Sequence, residues 1–227
     1  MLRNKRKPLI RQKITTPASQ AKIIAITGSI GSGKSTVSHY IESQGYPVIS
    51  ADQLAHALYE PGQPAYDAIV DHFGVQVLEH PQEINSRIDR KKLRAILFEN
   101  EFEKKWMEHL IHPLVRSESQ RRFQVFIQNG ARVLFYEVPL LFEAKQEKTV
   151  DGILLITCER SQQIDRLLKR DLSLTPTQAE SILAQQWPDE RKRAMATWEI
   201  TNNGSLEALY QKVDEFLQSE VGIKWRQ

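Results

Sequence analysis

Six residues rich in β-branched side chains, Lys22-Ile-Ile-Ala-Ile-Thr27, run directly into Gly28-Ser-Ile-Gly-Ser-Gly-Lys-Ser35. That second segment satisfies G-x-x-x-x-G-K-[ST] at every fixed position, and the spacing has a mechanical reason. Glycines let the backbone curl so that its N–H groups point inward, where a side chain would obstruct a phosphate. The N-terminus of a following helix adds a favourable dipole for an anion. Lys34 is then expected to reach the β- and γ-phosphates of a nucleotide, and the Ser35 hydroxyl to ligate Mg²⁺, with Thr36 beside the α-phosphate. Gly31, Ser32, Gly33, Lys34, Ser35 and Thr36 are the expected contacts. The alternative, a glycine-rich turn that binds nothing, does not explain why a strand precedes it and a helix follows.

The rest of the chain extends the same alternation. A helix is predicted over 34–43, a second strand at 46–49, a third at 132–138, a fourth at 152–157 and a short fifth at 198–201. Helical patterns follow at 161–170, at 172–186 with Pro176 in the first turn, and at 206–218. Short apolar runs alternating with helices predict an α/β fold: a doubly wound, five-stranded parallel sheet covered on both faces. Residues 53–128, mostly helical and charged, are too many for a simple crossover. They predict an inserted helical subdomain that binds the acceptor, and residues 160–190 predict a helical lid. The domain proper is expected to run from 22 to 218, with a tail at 219–227.

Charge is unevenly placed. Of 31 Lys and Arg against 28 Asp and Glu, seven basic and no acidic residues fall in 1–22, which leaves a body of net charge −4. Residues 1–21 are expected to be a disordered basic extension. A nucleic-acid arm, a membrane-surface arm or a transit peptide are the functional alternatives, and Pro8 and Pro17 argue against the last. The negative body makes nucleic acid an unexpected partner. No apolar run approaches the roughly 20 residues that span a bilayer. The single cysteine, Cys158, lies in an apolar run and cannot form an internal disulfide, so a reducing, cytoplasmic setting is expected.

A phosphate loop does not specify its reaction. No Asn-Lys-x-Asp element for reading guanine is present, and Asp71-His-Phe-Gly74 is too lax a match to D-x-x-G to carry weight. Asp52 follows the second strand, where a doubly wound sheet gathers its ligands, and could accept the proton of an attacked hydroxyl. It could equally be the N-cap of a helix over 53–59.

With Asp52 in view, the chain resembles the dephospho-CoA kinase family from about Lys22 to Leu217. The resemblance rests on Ile26 to Thr36, Val48-Ile-Ser-Ala-Asp52, Glu60-Pro-Gly-Gln-Pro-Ala65, Asp89-Arg-Lys-Lys-Leu93, His112-Pro-Leu114, Val138-Pro-Leu-Leu-Phe-Glu143, Gln163-x-x-Arg166-x-x-x-Arg170-Asp171 and Thr201-Asn-Asn-Gly204. It implies ATP-dependent transfer of the γ-phosphate to the 3′-hydroxyl of dephospho-CoA, the last step of coenzyme A synthesis, with Mg²⁺. Asp52 matches the family's catalytic base. The family commonly has Asp-Ala-Asp where this chain has Ser50-Ala-Asp52, so a contact made by the first carboxylate is in doubt.

Other roles are set against blander ones. Arg166 and Arg170, spaced i, i+4, would close over the polyphosphate, or else form a solvated basic face. Glu137, ending the third strand, would hold a Mg²⁺-bound water, or be a strand-end charge. Lys192 would touch phosphate. Asn202, Asn203 and Gly204 would meet the adenine, or form a plain turn. Arg90 and His112 resemble positions near the acceptor, His112 being equally readable as a structural helix-end residue. A monomer is expected.

Overall fold

The computed structural model describes residues 21–222. The extension expected at 1–21 lies outside the described residues except for Ala21, as do residues 223–227 of the expected tail.

The five expected strands form one parallel sheet: β1 (Lys22–Thr27), β2 (Val48–Ser50), β3 (Val133–Glu137), β4 (Gly152–Thr157) and β5 (Trp198–Thr201), in the order β2-β3-β1-β4-β5. The phosphate loop leaves the central strand, so its neighbours' carboxyl ends all surround it. Register makes this specific: Ile26 sits opposite Glu137, and Glu137 opposite Ser50.

Alternate residues of the strands feed two hydrophobic layers. On one face Ile24, Ile26, Phe135 and Leu154 meet α1 (Lys34–Ser43) through Val37 and Ile41, and meet α9 (Leu206–Phe216) through Leu209, Val213 and Phe216. On the other face Ala25, Leu134 and Tyr136 meet Leu54 of α2 (Ala51–Leu58) and Phe123 of α5 (Glu101–Gln128). The expectation of a tail beginning at 219 is adjusted here, because a π-helical turn carries α9 on through Leu217–Val221, where Leu217 and Val221 are buried.

The stretch between β2 and β3 is helical as expected: α2, α3 (Tyr66–Phe73), α4 (Arg90–Glu99) and the 28-residue α5. It gathers a core of its own from Tyr66, Ile69, Phe73, Leu93, Met107 and Ile111. After β4 come α6 (Arg160–Arg170), α7 (Pro176–Ala184) and the short α8 (Asp189–Arg193). Leu167, Ala179 and Leu183 hold α6 against α7, and Arg160 pairs with Glu180 between them. Among the described residues, no helix is long and apolar enough to cross a membrane.

Candidate active site

The phosphate loop takes the expected shape for local reasons. Gly28, Gly31 and Gly33 have φ of 148°, 77° and 99°, values that a Cβ disfavours. Space forbids one as well: a Cβ on Gly33 would lie 2.3 Å from Asn202 Nδ2, and one on Gly28 would lie 2.1 Å from the Ile156 carbonyl oxygen. Gly33 then opens α1, so the loop and the first free N–H groups of the helix form one cradle.

Lys34, nearly buried, donates from Nζ to the Ser29 carbonyl at 2.9 Å. Burial lowers its pKa from 10.5 to about 8. Glu137 and Asp52 oppose that shift, while Lys192 and Arg170 add to it. Glu137 moves the other way: burial raises its carboxyl pKa, against the pull of Lys34. Burial thus disfavours the charged form of both groups, and their mutual attraction opposes it.

Lys34, Ser35, Asp52, Glu137, Arg166, Arg170 and His112 line one open cleft of about 2190 Å³, together with Gly31, Gly33, Lys91 and Arg94. Asp52 is exposed to it. The capping alternative for Asp52 is overturned, because α2 begins at Ala51 and its N-cap is Ser50, whose Oγ accepts from Gln53 N. Asp52 stands within the first turn, where the helix dipole favours its charge. Ser50, at the position where the family commonly has a carboxylate, is the cap.

The two arginines of α6 separate in their contacts. Arg166 Nη1 donates to the carbonyls of Gly31 (3.0 Å) and Ser32 (3.3 Å), and Nη2 to Gln162 Oε1 and Asn202 O, both at 3.2 Å. It grips the loop itself. Arg170 is exposed on the same helix and carries its charge into the cleft.

Other expected residues stand elsewhere. Ser32 is fully buried, and Thr36 is half-buried in α1 and does not line the cleft. Asn202 is buried behind the loop, its Nδ2 donating to Ser32 O at 2.8 Å. Asn203 Oδ1 accepts from Glu159 N and its carbonyl from Gln162, while Gly204 is exposed; none of the three lines the cleft. The open phosphate contact expected of Lys192 is corrected, because Lys192 is 0 % exposed and its Nζ bonds Glu143 and Ser29 from behind the loop. His112 lies within α5 rather than at a helix end, exposed beside Pro113 on the cleft wall. Arg90 bonds Glu60 and His56, leaving Lys91 and Arg94 of its helix on the cleft.

Sequence reasoning missed Ser29, Glu143, Gln186 and Asp189. Ile30 N donates to Gln186 Oε1 at 2.8 Å, and Ser29 Oγ to Asp189 Oδ1 at 2.6 Å. Glu143 closes one of the stretches that carry the family resemblance, but no periodicity or spacing tied it to a loop so far away.

Comparison with known proteins agrees with this geometry. The family model for dephospho-CoA kinase (CoaE) matches residues 22–208. The dephospho-CoA kinase of Synechococcus sp. is 39% identical over 202 residues, spanning 89% of this chain and 94% of that protein. That of Shouchella clausii is 38% identical over 194 residues, 86% of this chain and 96% of the relative. Among solved structures, TT1252 from Thermus thermophilus superposes with a TM-score of 0.73 at 32% identity, and dephospho-CoA kinase from Campylobacter jejuni with 0.64 at 28%. Each covers 88% of this chain and 98% of its own. A phosphate loop, a carboxylate facing it across a cleft, and a match along nearly the whole described chain place this protein in the dephospho-CoA kinase family.

Proposed function

We propose that this ATP-dependent kinase of the dephospho-CoA kinase family moves the γ-phosphate to the acceptor's 3′-hydroxyl with Asp52 as the general base. The observation that carries the reading is that Asp52 and Lys34 line the same cleft, from beyond the ends of β2 and β1 on either side of β3. Asp52 takes the hydroxyl proton as the oxygen attacks, leaving coenzyme A and ADP. Lys34 leaves the Ser29 carbonyl for the β- and γ-phosphates. Arg170 meets the charge spread over the transferring group. Arg166 acts through the loop, whose carbonyls it turns away from the phosphates.

Mg²⁺ fits the donor set in one way. Among the described residues, no cluster of three or more His, Cys, Asp or Glu could hold an ion alone. A hard cation that keeps its waters and arrives with phosphate needs only one or two protein oxygens, and the Ser35 hydroxyl and Glu137 carboxylate both line the cleft. When bound, it neutralises charge on the phosphate oxygens. The helical subdomain over 53–128 supplies the acceptor wall, including His112, Lys91 and Arg94, and residues 160–190 act as the lid. Asn202 supports the loop and Asn203 the base of α6, and with Gly204 they form the turn that we place on the adenine side. Cys158, buried and unpaired, supports a cytoplasmic setting.

The test is ADP release from Mg-ATP with dephospho-CoA, and in parallel with adenosine, nucleoside monophosphates and shikimate. Turnover with dephospho-CoA is expected. Turnover with one of the others and none with dephospho-CoA would overturn the reading.

A further inference from the structure

Two lysines converge on one residue of the phosphate loop. Lys34 Nζ donates to the Ser29 carbonyl at 2.9 Å, and Lys192 Nζ lies 3.2 Å from the Ser29 hydroxyl oxygen. That hydroxyl can accept from Lys192 because it donates its own proton to Asp189 Oδ1 at 2.6 Å. Lys192 is 0 % exposed, and Glu143 Oε1, 3.2 Å away, balances its charge. Glu143 Oε1 also accepts from Trp187 N, and Asp189 Oδ2 accepts from Gln163 Nε2. A buried ammonium that exchanged water for two partners tolerates little displacement, since losing either leaves an uncompensated charge.

We propose that Lys192 is a positioning residue for phosphate transfer, fixing Ser29 from behind the loop so that Lys34 is presented to the nucleotide and not locked in its resting contact. The geometry supports both halves. Asp189 and Lys192 of α8 hold the Ser29 side chain directly, and Glu143, beyond β3, holds Lys192, which ties the loop to two distant segments. Lys192 and Lys34 bring like charge to the two polar atoms of Ser29, so the resting contact of Lys34 is opposed by Lys192 and that opposition eases when Lys34 moves to a phosphate. The groups that act on Lys34 are Glu137 of β3, Asp52 of α2, Arg170 of α6 and Lys192 of α8, and Lys192 is the stronger of the two cations. The inference rests on Lys34 being the phosphate contact. Lys34→Ala, tested by titration with a fluorescent ATP analogue without acceptor, checks that premise separately.

The experiment compares wild type with Lys192→Met, Lys192→Arg, Ser29→Ala and Asp189→Asn, with KM measured separately for ATP and for dephospho-CoA. Lys192→Met is expected to raise KM for ATP about tenfold or more while KM for dephospho-CoA changes less than about twofold. Ser29→Ala and Asp189→Asn should give the same one-sided split more weakly, and they carry the test if Lys192→Met does not fold. Lys192→Arg, which keeps the buried charge, should bring KM for ATP back towards the wild-type value. Equal changes in both KM values, or lowered thermal stability with neither KM moved, would reduce Lys192 to a structural residue and overturn the proposal.

Discussion

Lys34 is held at a cost. Its pKa is lowered to about 8 from 10.5, so below about 8 the folded protein carries a penalty that the unfolded chain does not. The penalty fades as pH rises from there towards 10.5, because the folded lysine has then given up its proton. That lowering corresponds to a net penalty on the order of 3 kcal/mol. Lys34→Met is therefore expected to raise the melting temperature near neutral pH while abolishing ATP binding, and the gain should shrink in melts taken above pH 8. Asp52 is tested differently, since it is exposed and supports little packing. Asp52→Asn should bind ATP as wild type does and lose about 10² or more in turnover; near-normal kcat would remove it as the base.

At the scale of elements, α6 carries two arginines whose variants should part company. Arg170 projects into the cleft, so Arg170→Ala should lower kcat with an unchanged melting temperature. Arg166 satisfies four acceptors around the loop, so Arg166→Ala should lower the melting temperature and raise KM for ATP together. Gly33→Ala, which forces a Cβ onto Asn202 Nδ2, should break the Asn202 tie to Ser32 and weaken ATP binding in a direct titration. Element boundaries were legible where a local signal marks them. α1, β4 and β5 fall where the sequence predicts, between glycines and charged ends. The helix predicted from 172 begins instead at Pro176, because Thr175 forms a capping box with Gln178 and must stay extended to do so. β2 begins two residues later than predicted: Tyr46 and Pro47 are buried, but proline has no N–H to pair and contributes only its carbonyl, to Phe135 N. Pro113, a breaker by its chemistry, sits inside α5 because packing on both sides of it, through Met107, Ile111 and Phe123, outweighs one missing hydrogen bond.

For the whole molecule, the described residues that line the cleft lie between Ile23 and Gln186. Removing residues 1–20 is expected to leave kcat/KM for both substrates within about twofold of wild type, because the expected contacts to both substrates all lie beyond that segment. A larger loss would make the basic segment part of the catalytic unit. The sequence by itself determined the phosphate loop, the parallel sheet around it and Asp52 beyond the second strand. Those features follow from backbone conformation and short-range pattern, which neighbouring residues impose. Only the tertiary structure decided what Arg166, Asn202 and Lys192 do. They reach the loop across 134 to 170 positions of chain, so no spacing reveals them. Burial behind the loop, and not the charge or turn chemistry legible beforehand, makes them its supports.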